Sequence, residues 1–260
     1  MLILLPPSEG KTAPASGEPV DLRALSAPSL TPHRRTVLAA LVRASRSPDA
    51  LDVLRVGPSL VADVKANRRL RGAPAAPARE VYTGVLYAAA GLDRLPEGDA
   101  RDRADRWVRT ISALWGLVSP EDRIPAYRLS MGTTLPGVGG LARAWRGPLS
   151  RVLDPIAAHR LVVDCRSAAY AAAWPGTADG PGHVGITVLR ELDGRRSIVS
   201  HAAKHTRGLV TRHLVMRQEP EPRAPLELLD AVGELVGTAL RDVTLHAAGA
   251  GRHVLEVVVS

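Results

Sequence analysis

The run Met1-Leu2-Ile3-Leu4-Leu5, closed by Pro6-Pro7, places the tightest limit on what this chain can fold into. Five apolar residues in a row, ended by a pair with no backbone N–H to donate, read as a buried strand. A second such run, Arg160-Leu161-Val162-Val163-Asp164-Cys165, reads the same way and gives out at Arg166-Ser167. Helical patterns fill much of the chain between them. Thr31-Pro32 opens a helix, with Thr31 as its cap, Pro32 at the first helical position and Val37, Leu38, Leu41 and Val42 as its apolar face. Ser47-Pro48 opens a shorter one through Leu51, Val53 and Leu54, and a longer one runs from Leu141 to Leu153 with Trp145 on the side of Leu141.

Elsewhere the pattern is mixed. Residues 13–30, rich in Ala, Pro, Ser and Gly, form a surface excursion. Glu80 to Tyr87 reads as strand, turn and helix, with Gly84 allowing close backbone approach. The polar stretch 97–106 starts a solvated helix that Trp107, Val108, Ile111, Leu114 and Trp115 continue at helical spacing, the aromatics serving the core. His183 to Leu192 and Arg195 to His201 are expected as two strands joined by an Asp193-Gly194 hairpin turn. A helix over 202–214, a break at Pro220 to Pro225, a helix from Leu226 to Leu240 and a strand from His253 to Val259 complete the chain.

Charge narrows the function. The 260 residues carry a formal net charge of +8 and a pI near 10.5, which favours a polyanionic partner such as nucleic acid, or a small anionic ligand. Of 34 Lys+Arg, only Lys11, Lys65 and Lys204 are lysines. In so arginine-rich a chain, a retained lysine suggests a place for a compact ammonium rather than a guanidinium fork. Cys165 is the one cysteine, so no intrachain disulfide can form, and a reducing cytoplasm fits; with no His or Asp partner in its pattern, it reads as an inert buried thiol. The N-terminal apolar run is too short for a signal peptide and lacks a basic flank, and no stretch approaches the ~20 apolar residues of a membrane span, so a soluble intracellular protein is expected. His201 and His205 are four apart without a Cys or carboxylate pair nearby, so neither metal nor cofactor is expected.

Three stretches carry candidate chemistry. Ser8-Glu9-Gly10-Lys11-Thr12 ends like a phosphate loop, but Leu5 occupies the position where that loop needs its first glycine, and Pro6 and Pro7 lack the N–H groups that would cradle a phosphate. What remains is a turn at a strand end presenting Ser8, Glu9 and Lys11, or a plain exposed loop. Val56-Gly57-Pro58-Ser59 between two short helices resembles the hairpin of a helix-hairpin-helix element, which binds backbone phosphate through N–H groups; Ser59, Lys65 and Arg68 would add contacts, and an ordinary helical connector is the alternative. Tyr127-Arg128 in a Gly- and Pro-bounded segment offers a bidentate anion contact plus a hydroxyl, or else an arginine that fixes its own loop. The helix after Val199 gathers Lys204, His205, Arg207, Arg212 and His213, either as an anion-binding face or as a solvated basic one.

Taken in order, several segments together resemble the YaaA family of bacterial peroxide-stress proteins. They are MLILLPPSEGKT, Tyr82-Thr83-Gly84, Leu114-Trp115-Gly116 with Ser119-Pro120, Pro125 to Gly132, Ser167 with Tyr170, and Lys204 through Arg212. The resemblance implies one α+β domain over residues 1–260, of the cantaloupe fold: a mixed central sheet surrounded by helices, with a helix-hairpin-helix subregion near 31–71. It also implies a role in peroxide stress and in limiting damage linked to free iron. Duplex DNA would bind largely without regard to sequence, in a cleft lined by Lys11, Arg128, Lys204, Arg207 and Arg212 and at the Val56 to Lys65 hairpin. The start reads Pro-Ser-Glu-Gly-Lys where other members have Ser-Pro-Ala-Lys, and His205 stands where a second lysine is common. The alternative is an enzyme acting on a nucleotide or damaged nucleic acid in the same cleft, with Glu9, Lys11 and Lys204 as candidate catalytic groups.

Overall fold

The computed structural model describes residues 1–192, 195–198 and 200–260. In chain order, β1 (Leu2–Leu5) is followed by α1 (Thr31–Ala44), α2 (Ala50–Leu54), α3 (Val61–Asn67), β2 (Ala76–Pro77), α4 (Ala78–Val81), α5 (Val85–Ala90) and α6 (Asp99–Trp107). Then come β3 (Val108–Ser112), β4 (Gly116–Val118), β5 (Arg123–Ile124), β6 (Thr134–Leu135), β7 (Gly139–Gly140), α7 (Leu141–Ala157), β8 (Val162–Asp164) and α8 (Ala168–Ala171). The chain ends with β9 (His183–Leu192), β10 (Arg195–Ile198), α9 (Ser200–Met216), α10 (Pro225–Gly233), β11 (Asp242–Ala247) and β12 (Arg252–Val259). The fold is α+β around a mixed sheet in the order β11-β12-β9-β8-β1-β3-β4, with β10 paired to β9.

Both apolar runs become strands at the centre of that sheet. β1 pairs in parallel with β3 on one side (Ile3 opposite Val108) and with β8 on the other (Leu2 opposite Val162), and all four of its residues are buried. An all-apolar strand is what a sheet covered on both faces selects. β9 and β12 extend the parallel set, while β4, β10 and β11 pair antiparallel. From β1 the chain moves toward β3, and from β8 toward β9, so the connections leave these two neighbours in opposite directions. Such a switch point opens a crevice at the carboxyl ends of the strands. Among the described residues, no helix is long and apolar enough to cross a membrane.

Four local expectations change. The helix begun at Asp99 stops at Trp107, and Val108–Ser112 is a strand. The spacing of Trp107, Val108, Ile111 and Leu114 fits a helix equally well, but pairing with β1 wins because it completes the sheet core. The expected aromatic core is present: Trp115 and Trp145 are fully buried, and a side chain on Gly116, at φ +72°, would strike the Trp145 ring. Glu80-Val81 closes the short helix α4 rather than forming a strand, and Tyr82 only bridges to Lys11. Thr31 lies inside α1 instead of capping it, its hydroxyl donating to the Leu22 carbonyl at 3.0 Å. The helix from Leu226 ends at Gly233, since Gly233 and Gly237 (φ +85°) interrupt it, and β11 follows. The Asp193-Gly194 turn and Val199 lie outside the described residues.

One buried polar residue ties a helix to the sheet, and one glycine lets two helices meet closely. Arg34 of α1 is fully buried and donates to the carbonyls of Trp115 (2.8 Å) and Leu117 (2.9 Å) at the sheet edge and of Ser26 (2.5 Å) and Ala27 (3.3 Å) in the segment before α1, so its charge is spread over four backbone acceptors. On the other side, α9 packs on α5 through Gly208. A Cβ there would overlap the Leu86 carbonyl and stand 2.7 Å from the Ala89 Cβ. Gly208→Ala should therefore force the two helices apart and lower stability by about 1–3 kcal/mol, read as a fall in the chemical denaturation midpoint.

Candidate functional site

The crevice at the ends of β1 and β8 is a cavity of about 570 Å³. Five parts of the chain build it: the turn 6–11 after β1, Thr83-Gly84 and the start of α5, the loop 128–133, Cys165 to Tyr170 after β8, and the first two turns of α9; the end of α2 through Val56 forms the rim. Lys11, Arg128, Lys204 and Arg207 converge on it from three of these segments, the last two both from α9. Two of the three lysines thus face one cavity.

Lys11 is the innermost of the cations. Its Nζ donates to the Ser8 carbonyl at 2.6 Å and lies 4.4 Å from the Tyr127 ring centroid and 5.7 Å from that of Tyr82. Burial, and next the repulsion of Arg128, pull its pKa from the ordinary 10.5 down to about 7, against a smaller opposing pull from Glu9 and Asp63. The rings under it are fixed by a buried hydroxyl chain, Tyr82 Oη to Tyr127 Oη at 3.1 Å and Tyr127 Oη to Ser112 Oγ at 2.7 Å. Burial holds both phenols well above their usual range, so they stay protonated. Ser8 Oγ accepts from the Thr83 amide at 3.0 Å and itself donates to the Gly10 carbonyl, which locks the turn carrying Lys11.

Arg128 is placed from a distance. Asn67, the last residue of α3 and fully buried, donates from Nδ2 to the Arg128 carbonyl (2.8 Å) and accepts the Arg128 amide at Oδ1 (2.9 Å). Arg128 Nη1 then reaches the Glu9 carbonyl at 3.0 Å. Across the opening, Lys204 Nζ lies 3.9 Å from the Glu9 carboxylate, both side chains more than half exposed, a pairing that solvent weakens. Arg207 is braced by the Ile186 carbonyl (2.8 Å from Nη2). Below β8, the bidentate Asp164–Arg166 pair (2.8 and 2.6 Å), with His183 Nε2 3.0 Å from the same carboxylate, anchors the strand end. Buried though it is, Asp164 is held far below the usual carboxylate range by these partners.

The other expected residues lie elsewhere. Tyr127 turns its hydroxyl inward and offers the cavity side only a ring to Lys11, so it is no second anion donor. Arg212 Nη1 faces the Ala90 carbonyl. Gly57, Ser59, Lys65 and Arg68 stand outside the cavity on the exposed α2–α3 surface, where Arg68 Nε donates to the Ser45 carbonyl at 2.7 Å. Gly57 is extended (φ −74°) and the left-handed residue of that turn is Arg55 (φ +56°). Val56 does line the rim. Cys165 is in the cavity wall with its thiol pushed up to about 12, chiefly by burial, and stays protonated. Among the described residues, no group of three or more His, Cys, Asp or Glu is placed to hold a metal ion. Sequence reading missed Asn67, which has no pattern to mark it, and Thr133, a buried cavity residue whose Oγ1 has no hydrogen-bond partner.

A family model described as "Peroxide stress protein YaaA" matches residues 1–230. A UPF0246 protein of Streptomyces coelicolor is 43% identical over 237 residues, covering 90% of each chain. One from Corynebacterium glutamicum is 38% identical over 242 residues (91% of this chain, 94% of that protein), and one from Cereibacter sphaeroides is 34% identical over 236 residues (85% and 89%).

Two outcomes follow from this geometry. Asn67→Ala strands the amide and carbonyl of Arg128, so it should cost about 1–3 kcal/mol in denaturant unfolding. Lys11 loses its proton near pH 7 when folded and near 10.5 when unfolded. Between those values the unfolded chain holds more protons, so the Lys11 contribution makes stability rise with pH across that window. Lys11→Met should remove that part of the slope in denaturation curves taken from pH 7 to 10.

Proposed function

The chain belongs to the YaaA family of peroxide stress proteins, and from that premise we propose that its cleft receives a phosphate-bearing ligand of nucleotide size. The observation that carries this reading is the convergence of Lys11, Arg128, Lys204 and Arg207 on one cavity of about 570 Å³, within the range of small-ligand sites. Guanidinium and ammonium groups on separate segments can hold different phosphate oxygens, while the hydroxyls of Thr83, Ser130 and Thr133 meet a sugar. A cavity of this size takes a nucleotide, a chain end or a flipped-out nucleoside rather than an intact double helix. A buried, protonated single thiol fits work in a reducing cytoplasm.

A second reading keeps duplex DNA as the partner, bound with little base readout through a helix-hairpin-helix at Val56 to Lys65. It is favoured by Lys65, Arg68, Arg69 and Arg71, all exposed on or just after α3, and by the net charge of +8. Phosphate contacts from such a surface would position a duplex across the mouth of the cleft.

Calorimetric titration separates the readings. Arg128→Ala and Lys204→Ala should each weaken a nucleoside diphosphate such as ADP by about tenfold, the scale of one charge-assisted hydrogen bond, while Lys65→Ala leaves it unchanged. No ADP binding at low salt would refute the cleft reading. If duplex DNA binds, its log K should fall linearly with log salt, and Lys65→Ala should reduce the slope by about one.

A further inference from the structure

Lys11 is poorly suited to serve only as a phosphate clamp. A clamp gains from being charged, yet Lys11 has Arg128 as its charged neighbour, two aromatic rings beneath it, and, among the described residues, no carboxylate within ion-pair distance. The nearest acid in sequence, Glu9, directs its carboxylate to Lys204 instead. Burial and Arg128 outweigh whatever the ring faces add for the ammonium, so near neutrality much of Lys11 carries a free lone pair. The amine is also aimed by its bond to the Ser8 carbonyl and is backed by the rigid Tyr82–Tyr127–Ser112 chain. Arg128, Lys204 and Arg207 remain to hold phosphate around it, and the unpartnered Thr133 Oγ1 offers a sugar hydroxyl a partner. A desolvated lysine next to another cation is the arrangement that makes an amine nucleophilic toward a carbonyl.

We propose that Lys11 is a nucleophile that condenses with the aldehyde of a phosphorylated sugar held in this cavity. The proposal rests on the cleft being an anion site and adds to it a covalent step. The Nζ lone pair attacks the carbonyl carbon and forms the C–N bond, and the proton that nitrogen gives up goes to the carbonyl oxygen. The carbinolamine C–O bond then breaks, the hydroxyl leaves as water with the second proton of the nitrogen, and the C=N bond of an imine remains; nothing is oxidised or reduced. The same open-chain aldehyde phosphate occurs in a free sugar phosphate and at an abasic site of DNA, and one chemistry serves both.

The test uses the wild-type full chain at pH 7 with sodium cyanoborohydride, which reduces an imine to a stable secondary amine. One arm contains 2-deoxyribose 5-phosphate, a second 2-deoxyribose without phosphate, and a third a duplex oligonucleotide with one abasic site. Peptide mapping by mass spectrometry should find one adduct per chain, on Lys11, at least tenfold above Lys65, Lys204 or the Met1 amine. The phosphorylated arms should exceed the unphosphorylated one. Lys11→Arg should abolish the adduct. The first and third arms assign the source of the aldehyde; an adduct on Lys11 in either supports the proposal. Adducts spread over Lys65, Lys204 and Met1, or none at all, overturn it, and because the map is made on wild type this holds even if a Lys11 variant fails to fold. If 2-deoxyribose 5-phosphate competes with ADP but is never trapped, the covalent step falls and the binding reading stands. If it neither competes nor is trapped, and ADP itself does not bind, both fall.

Discussion

The parallel pairing of β1 with β3 and β8 is the constraint on which the rest of the molecule depends. Because Leu2–Leu5 is buried on both faces, helices must cover the sheet on each side, and the chain must leave the carboxyl ends of β1 and β8 toward opposite edges. The gap between those departures is the cavity. Its first wall, Pro6 to Lys11, is the end of the central strand, so the most buried lysine lies where it does because the most buried strand stops there. Pro6 and Pro7 contribute by ending the ladder, and the Pro6 carbonyl accepts from Tyr87 Oη at 2.9 Å, which draws α5 over the crevice.

Electrostatics within the cleft follows from crowding. Bringing Lys11, Arg128, Lys204 and Arg207 together raises the energy of each charge when no anion is bound. The exposed pair Lys204–Glu9 relieves part of this through a carboxylate and solvent, whereas Arg128 and Arg207 lean on backbone carbonyls. Lys11 has one carbonyl and two rings as partners, and burial together with the repulsion of Arg128 lowers its pKa to about 7. The crowding of four cations and the near-neutral amine both follow from one charge arrangement. An arriving phosphate would shift both, because it favours the protonated form of any amine it touches.

The helical region 31–71 shows how a local pattern acquires a different task. The Gly-Pro turn between α2 and α3 reads as a phosphate-binding hairpin, but the contact that ties this region to the site is Asn67, which clamps the backbone of Arg128. Arg34 in α1 likewise directs its charge inward, to carbonyls of the sheet edge. Neither residue stands out in sequence, since an isolated Asn or Arg in a helix usually faces water. Their buried partners lie 61 and 81 residues away, beyond any window that periodicity can scan.

The amino-acid order alone determined the two buried strands, the long helices that begin at Thr31 and Leu141 and the buried thiol of Cys165, because each rests on local hydrophobicity, turn residues or composition. It also carried the ordered motifs by which the family is recognised. It did not determine that Val108–Ser112 would leave a helical pattern for the sheet, or that Tyr127 would present its ring and hide its hydroxyl. Nor did it separate the cations that share a cavity from Lys65, Arg68 and Arg212, which do not. Those outcomes belong to tertiary structure for one physical reason. Strand pairing, desolvation and charge repulsion depend on which distant segments become neighbours, and only the closed fold around β1 makes them so.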